Sequence, residues 1–226
     1  MLILVLDAST PVSAVAVARA DDAHPARREV LAEVSVTSRG ASEALLPAVD
    51  AALALGGEEL SAVDRVLVGV GPGTFTGIRI AAATARALSL GTGAALSKNS
   101  TLAALAAPAL SCAADVLAVL DARRGQVFAQ TFSTDGPTTG ILCVRPEELA
   151  AQGPTLAVGD GAVRYREVLG VPGSIPHDGS PLHRVSGTGH VLSADLRSVS
   201  PEEVFPNYVR EPDAEVRRDR NPWSPP

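Results

Sequence analysis

Leu2-Ile3-Leu4-Val5-Leu6-Asp7 is an unbroken apolar run closed by a carboxylate, the pattern of a strand buried on both faces. Ala8 to Pro11 supplies a turn, and Ser13 to Ala20 and Val30 to Val36 read as two further strands joined by a polar hairpin loop, Asp21 to Arg28. From Ser42 the period changes. Leu45, Leu46, Val49, Ala52 and Leu53 form one helical stripe that Gly56-Gly57 stops. Arg65 to Val70 is a strand, Gly71 to Gly73 a glycine loop, and Thr76 to Leu90 a second helix ending at Gly91. The same order then recurs. Asp115 to Asp121 is an apolar run closed by Asp, and Ala122-Arg123-Arg124-Gly125 turns the chain into strands at Gln126 to Ser133 and Thr138 to Val144. Pro146 to Gln152 is a predicted helix, Thr155 to Val158 a strand, Gly159-Asp160-Gly161 a turn and Ala162 to Leu169 a helix.

Each half therefore reads β-β-β-α-β-α, which predicts a duplicated α/β fold with its boundary near Ser97 to Thr101. The expected units are residues 1–99 with the glycine loop, a reduced second half at 100–205, and a tail at 206–226 packing back on the surface. Val171 to His190, dense in Pro, Gly, Ser and His, reads as a surface loop.

Composition narrows the class. Of 226 residues 46% are apolar but only 3% aromatic, so the core must be built from Ala, Val and Leu. A net charge of −6 argues against a chain that grips nucleic acid through its own basic face. No apolar run reaches the roughly 18 residues of a membrane span, and the reading is of a soluble cytoplasmic protein. Two cysteines, Cys112 and Cys143, make neither a disulfide framework nor a zinc spacing.

The stretch Gly69 to Arg79 carries the strongest candidate chemistry. Its glycines permit a tight turn after a strand, Thr74 or Thr76 can cap the next helix, and the N–H groups there can hold an anion. No Lys stands where a Walker loop needs one, and the dinucleotide fingerprint is missed by one residue. A tight turn without any ligand explains the same glycines. Asp7 and Asp121 each end a strand and enter a polar turn, where a carboxylate either orients Mg²⁺-bound water near phosphates or caps its own turn. The candidate phosphate cleft is thus Asp7, Ser9, Thr10, Gly71, Gly73, Thr74 and Asp121.

His24, His177, His183 and His190 form no metal-ligand pair, no Gly-x-Ser-x-Gly elbow is present, and Arg123-Arg124 reads as a solvated turn rather than a phosphate clamp. No catalytic residue is assigned. The helix Thr76 to Leu90 has small or apolar residues all round, so either something covers its second face or its alanines are merely neutral on the surface. Arg79, Ala83, Arg86 and Leu90 share one face of it, and the neighbouring helix with Leu46 flanks that face as a paired-helix surface for self-association or a partner.

With these residues in hand, the chain resembles the TsaB (YeaZ) family. The likeness rests on Ile3 to Thr10, Ser42-Glu43-Ala44-Leu45-Leu46-Pro47, Leu120 to Phe128, Pro206 to Arg210, and above all Gly71-Pro72-Gly73-Thr74-Phe75-Thr76-Gly77-Ile78-Arg79-Ile80. Ala41 stands where relatives often carry His. The resemblance implies the duplicated actin-like (sugar kinase, Hsp70) fold and a cytoplasmic scaffold that dimerises. It also implies pairing with a TsaD-like catalytic subunit and a TsaE-like ATPase. That complex moves a threonylcarbamoyl group onto adenosine 37 of tRNAs reading codons that begin with A, so tRNA is met only through the complex. No tightly bound cofactor is expected, and ATP with Mg²⁺ should bind weakly, because no Lys follows the glycine loop and the second half is short. The rival reading is an autonomous actin-like ATP-dependent phosphotransferase using Asp7 and Asp121. A glycoprotease would need a metal or nucleophile that the residues do not offer.

Overall fold

The computed structural model describes residues 1–21, 24, 27–37, 41–149, 156–170, 174–205, 207 and 209. The elements run β1 (Leu2–Asp7), β2 (Val12–Ala20), β3 (Arg28–Thr37), α1 (Ala41–Gly56), β4 (Arg65–Gly69), α2 (Phe75–Thr92), β5 (Ala95–Asn99) and α3 (Thr101–Ala106). They continue with β6 (Asp115–Arg123), β7 (Gln126–Ser133), β8 (Gly136–Pro137), β9 (Leu142–Val144), α4 (Pro146–Leu149), β10 (Leu156–Val158), α5 (Asp160–Arg164), α6 (Arg166–Leu169) and α7 (Gly187–Ser193).

β1 is buried along its whole length because it is the middle strand of a sheet ordered β3-β2-β1-β4-β5. It pairs antiparallel with β2 and parallel with β4. Its side chains alternate as a strand must: Leu2, Leu4 and Leu6 pack with α1 and α2, whereas Ile3 and Val5 face Val191 and Ala194 in and after α7. β6 repeats this position in the second sheet, antiparallel to β7 and parallel to β10. One face of that sheet packs Leu102 and Leu105 of α3, the other Leu149, Ala162 and Leu169 of α4 to α6. α3 and α7 touch each other, so the layers run α1/α2, first sheet, α7/α3, second sheet, α4/α5/α6. This is an α/β architecture of two mixed sheets in which the pairing of the central strand, antiparallel on one side and parallel on the other, is repeated.

Several elements differ from the sequence reading. Gly91 does not end α2. The helix runs on to Thr92, and Gly93, at φ 79°, stops it by returning its N–H to Ser89 O. Of the strand expected over Thr138 to Val144 only β9 at its end forms, and a two-residue strand, β8, lies just before the expected start. The helix expected over Ala162 to Leu169 is α5 and α6, broken at Tyr165. Residues 150–155 and most of the tail, 206 and 208 and 210–226, lie outside the described residues, as do 171–173.

The largest correction concerns Val171 to His190. Instead of a surface loop, residues 181–193 hold a 3-10 turn at Pro181–His183 and then α7, with His190 and Val191 buried. α7 has no apolar stripe because close approach dictates its residues. A Cβ on Gly187 would collide with the Ala16 side chain, and one on Gly189 with the Ala104 carbonyl. Edge strand β3 then grips both ends of the helix. Glu33 accepts from Gly187 N (2.9 Å), Thr188 N (3.1 Å) and Thr188 Oγ1 (2.6 Å). Arg28 Nη1 donates to Val191 O (2.5 Å) and Ala194 O (2.8 Å). A carboxylate at the N-terminus and a guanidinium at the C-terminus both oppose the helix dipole. Replacing Glu33 by Ala should lower stability by about 1–3 kcal/mol, read as a lower urea midpoint at unchanged m.

Candidate functional site

Asp7 ends β1 with its carboxylate fully buried, and every neighbour is a donor. Oδ1 accepts from Ser9 N and Ser9 Oγ, both at 2.6 Å, so the residue caps its own turn. Oδ2 accepts from Thr101 Oγ1 (2.9 Å) and from His190 Nε2 (2.8 Å). The Asn99 amide nitrogen faces His190 Nδ1 (3.2 Å) and also donates to Ser193 Oγ (2.7 Å). With that nitrogen so turned, Nδ1 is the acceptor and the ring proton sits on Nε2. Burial pushes the Asp7 carboxyl up. The hydrogen bond from His190, its charge once protonated, and the two Ser9 donors outweigh burial and hold the group below its ordinary value of 3.8.

The glycine loop packs on this turn. Thr74 N donates to Ser9 O (2.6 Å), and Thr101 N donates to Gly71 O (2.9 Å). A Cβ on Gly73 would collide with Ser9 O, one on Gly77 with Ala8 O, and one on Gly69 with the Asp7 carboxylate. Gly71 sits at φ 92° before a cis bond to Pro72. The glycines of the loop therefore admit the close packing of the chain's own Ala8-Ser9 backbone. Thr74 stands at the N-cap of α2 without a side-chain capping bond, and Thr10 Oγ1 donates to Val12 O (3.0 Å).

Asp121 sits in a separate cluster at the end of β6. It repeats the Asp7 turn, Oδ1 accepting from Arg123 N (2.9 Å), while Asp160 Oδ1 accepts from Asp121 N (3.0 Å). Burial pushes the Asp160 carboxyl up, and the neighbouring Asp121 charge adds to that. Among the described residues no three His, Cys, Asp or Glu side chains are grouped as metal ligands would be.

Sequence reasoning brought Asp7, Ser9 and the glycines to one place but missed Thr101, Asn99, Ser193 and His190. The one local signal for His190 was the Ser186-Gly-Thr-Gly run before it, in which Ser186 Oγ accepts from Gly189 N and caps α7. His183 is likewise buried, its Nδ1 accepting from Gly159 N (3.1 Å). On the outer helices Arg79, Ala83 and Leu90 are exposed, Leu90 to 89%, and Leu46 of α1 to 51%. Arg79 stacks on the Phe75 ring at 3.6 Å. Arg86, expected to reach outward, is drawn into its own chain instead. It donates to Val204 O (2.6 Å) and lies over Phe205.

The chain is similar to several known proteins. A family model described as TsaD: tRNA N6-adenosine threonylcarbamoyltransferase matches residues 30–173. The tRNA threonylcarbamoyladenosine biosynthesis protein TsaB of Escherichia coli is 34% identical over 198 residues, 80% of this chain and 85% of that one. The chain belongs to the TsaB (YeaZ) family. An uncharacterized Mycobacterium tuberculosis protein is 34% identical over 217 residues, 94% of this chain and 93% of its own length. In structure, YeaZ from Pseudomonas aeruginosa superposes with a TM-score of 0.73 at 26% identity, covering 92% of this chain and 99% of that one.

The Asp7 network sets a pH dependence. A carboxyl held below 3.8 when folded stabilises the fold above that value, and the contribution is lost as pH falls through the folded value. His190→Ala should destabilise at neutral pH by about 1–3 kcal/mol, leaving a buried carboxylate oxygen without one of its donors. Denaturant titrations from pH 7 to pH 2 should show the gap between variant and wild type closing at the acid end.

Proposed function

We propose that this chain is a non-catalytic subunit of the machinery that makes threonylcarbamoyladenosine in tRNA. In this reading it supports a TsaD-like catalytic subunit, with a TsaE-like ATPase joining them, and it meets adenosine 37 of tRNAs reading codons beginning with A only through that complex. It works in the cytoplasm, as a homodimer when the partner is absent. Family membership and the TsaD-described match over 30–173 support a part in this modification.

The observation that carries the scaffold role is the state of Asp7. A phosphotransferase needs that carboxylate open to a metal-bound water, whereas both of its oxygens already accept two hydrogen bonds inside the protein. The glycines of the loop pack against the chain's own backbone and no Lys follows them, which favours weak ATP binding, with a dissociation constant of about 0.1 mM or worse. Calorimetry with Mg-ATP tests this. Micromolar affinity abolished by Asp7→Ala would favour the phosphotransferase instead.

The lone chain should leave tRNA unmodified, and adding TsaD-like and TsaE-like subunits, threonine, bicarbonate and ATP should restore modification. Robust modification by the lone chain would sink the scaffold reading. The contact surface proposed is α2 with α1, where Ala83 is exposed between Arg79 and Leu90 with Leu46 alongside. Ala83→Trp should keep the fold and weaken association at least tenfold, a cost of about 1–3 kcal/mol, in light scattering and partner pull-down.

A further inference from the structure

The β6–β7 hairpin carries arginines at backbone positions where glycine or asparagine fits better. Arg123 pairs with Gln126, so Arg124-Gly125 is a two-residue turn, and the register shifts between Asp121 and Arg123 as in a β-bulge. Arg123 lies at φ 65° and Arg124 at φ 56°, left-handed conformations that suit Gly or Asn and strain an arginine. No other non-glycine residue among those described has a positive φ. Strain of this kind is kept where the side chains serve a purpose.

The charges there are layered. Asp121 is nearly buried, and its Oδ2 lies 3.4 Å from Arg123 Nη1 and 3.6 Å from Arg164 Nη1. Those separations are longer than a strong charge-assisted hydrogen bond, so the carboxylate orients two guanidiniums without binding either tightly. Arg164, at the end of α5, also lies over the Tyr165 ring. Arg123, Arg124 and Arg164 are all exposed, and Asp160 sits inward, holding Asp121 N. Anions face the protein and cations face solvent, on a chain whose net charge is −6.

We infer that Arg123, Arg124 and Arg164 form a phosphate-recognition site for an RNA backbone, presented by the hairpin tip. Planar guanidiniums suit phosphodiester oxygens, and the shared Asp121 carboxylate keeps Arg123 and Arg164 near one another while leaving their donors available. Net acidity excludes a broad basic face but not one local site. RNA is chosen over a free nucleotide because exposed arginines from two elements, the hairpin tip and the end of α5, suit an extended backbone of phosphates. That choice rests on the function proposed above.

The test uses the full chain reconstituted with its TsaD-like partner and a fluorescent, unmodified tRNA transcript carrying adenosine 37. The double variant Arg123→Gly with Arg164→Ser should bind the transcript at least tenfold more weakly near 0.1 M salt, and the log–log salt slope should flatten by about two. Arg197→Ser, removing an exposed arginine beside Asp195, should bind as wild type. Arg123→Gly alone should raise the melting temperature, because glycine relieves the left-handed backbone. Equal RNA binding by the double variant overturns the inference. So does a loss confined to Mg-ATP binding, which would assign the arginines to a nucleotide. A wild-type complex that modifies no tRNA fails the proposed function, while modification with unchanged RNA binding in the double variant fails the hairpin site alone.

Discussion

The hydrogen bond from His190 to Asp7 joins residues 183 positions apart and ties α7 to the end of the central strand of the first sheet. Its strength comes from burial: both side chains are out of water, so neither can exchange its partner for solvent. Once made, it fixes the place of α7 against β1. Through Thr101 it fixes the start of α3, and through Ser9 it fixes the turn on which the glycine loop rests. One carboxylate thus organises the end of the first strand, the connection between the sheets and the inner helical layer.

The same geometry explains why the first sheet is closed on both sides. α1 and α2 supply one cover from adjacent chain, whereas the other comes from the far end of the sequence. Residues after α7 continue this dependence along the sheet edge. Val199 pairs with Leu96, Lys98 donates to Glu203 O, and Asn207 N donates to Val70 O. The C-terminal segment is therefore part of the first half's packing, and Arg86 is committed to it.

The central strands and the repeat were legible because burial on both faces leaves a continuous apolar run, as in Leu2–Asp7 and the β6 strand. The glycine loop was legible as a tight turn, but its meaning was not. The sequence cannot distinguish glycines that admit a phosphate from glycines that admit Ser9 O. β5, α3 and α7 escaped notice for a different reason. Ala95–Asn99 mixes Ala, Leu, Ser, Lys and Asn because only part of that edge strand is covered. Thr101–Ala106 is too short to show a helical period, and α7 owes its small residues to the surfaces above and below it. His190 therefore looked like a loop histidine. The Asx turns at Asp7 and Asp121 were foreseen as one of two readings, and both turns are made.

Closure by a distant helix has a consequence for synthesis on the ribosome. The first sheet has all five strands once β5 is made, yet Ile3, Val5, Ala16, Ala18 and Leu67 stay uncovered until Val191 and Ala194 arrive. At bacterial or eukaryotic elongation speeds the interval is roughly 5–20 s. During it the nascent chain carries a flat apolar sheet face in water, a natural target for holding chaperones. Codon choice between β5 and α7 sets how long that exposure lasts.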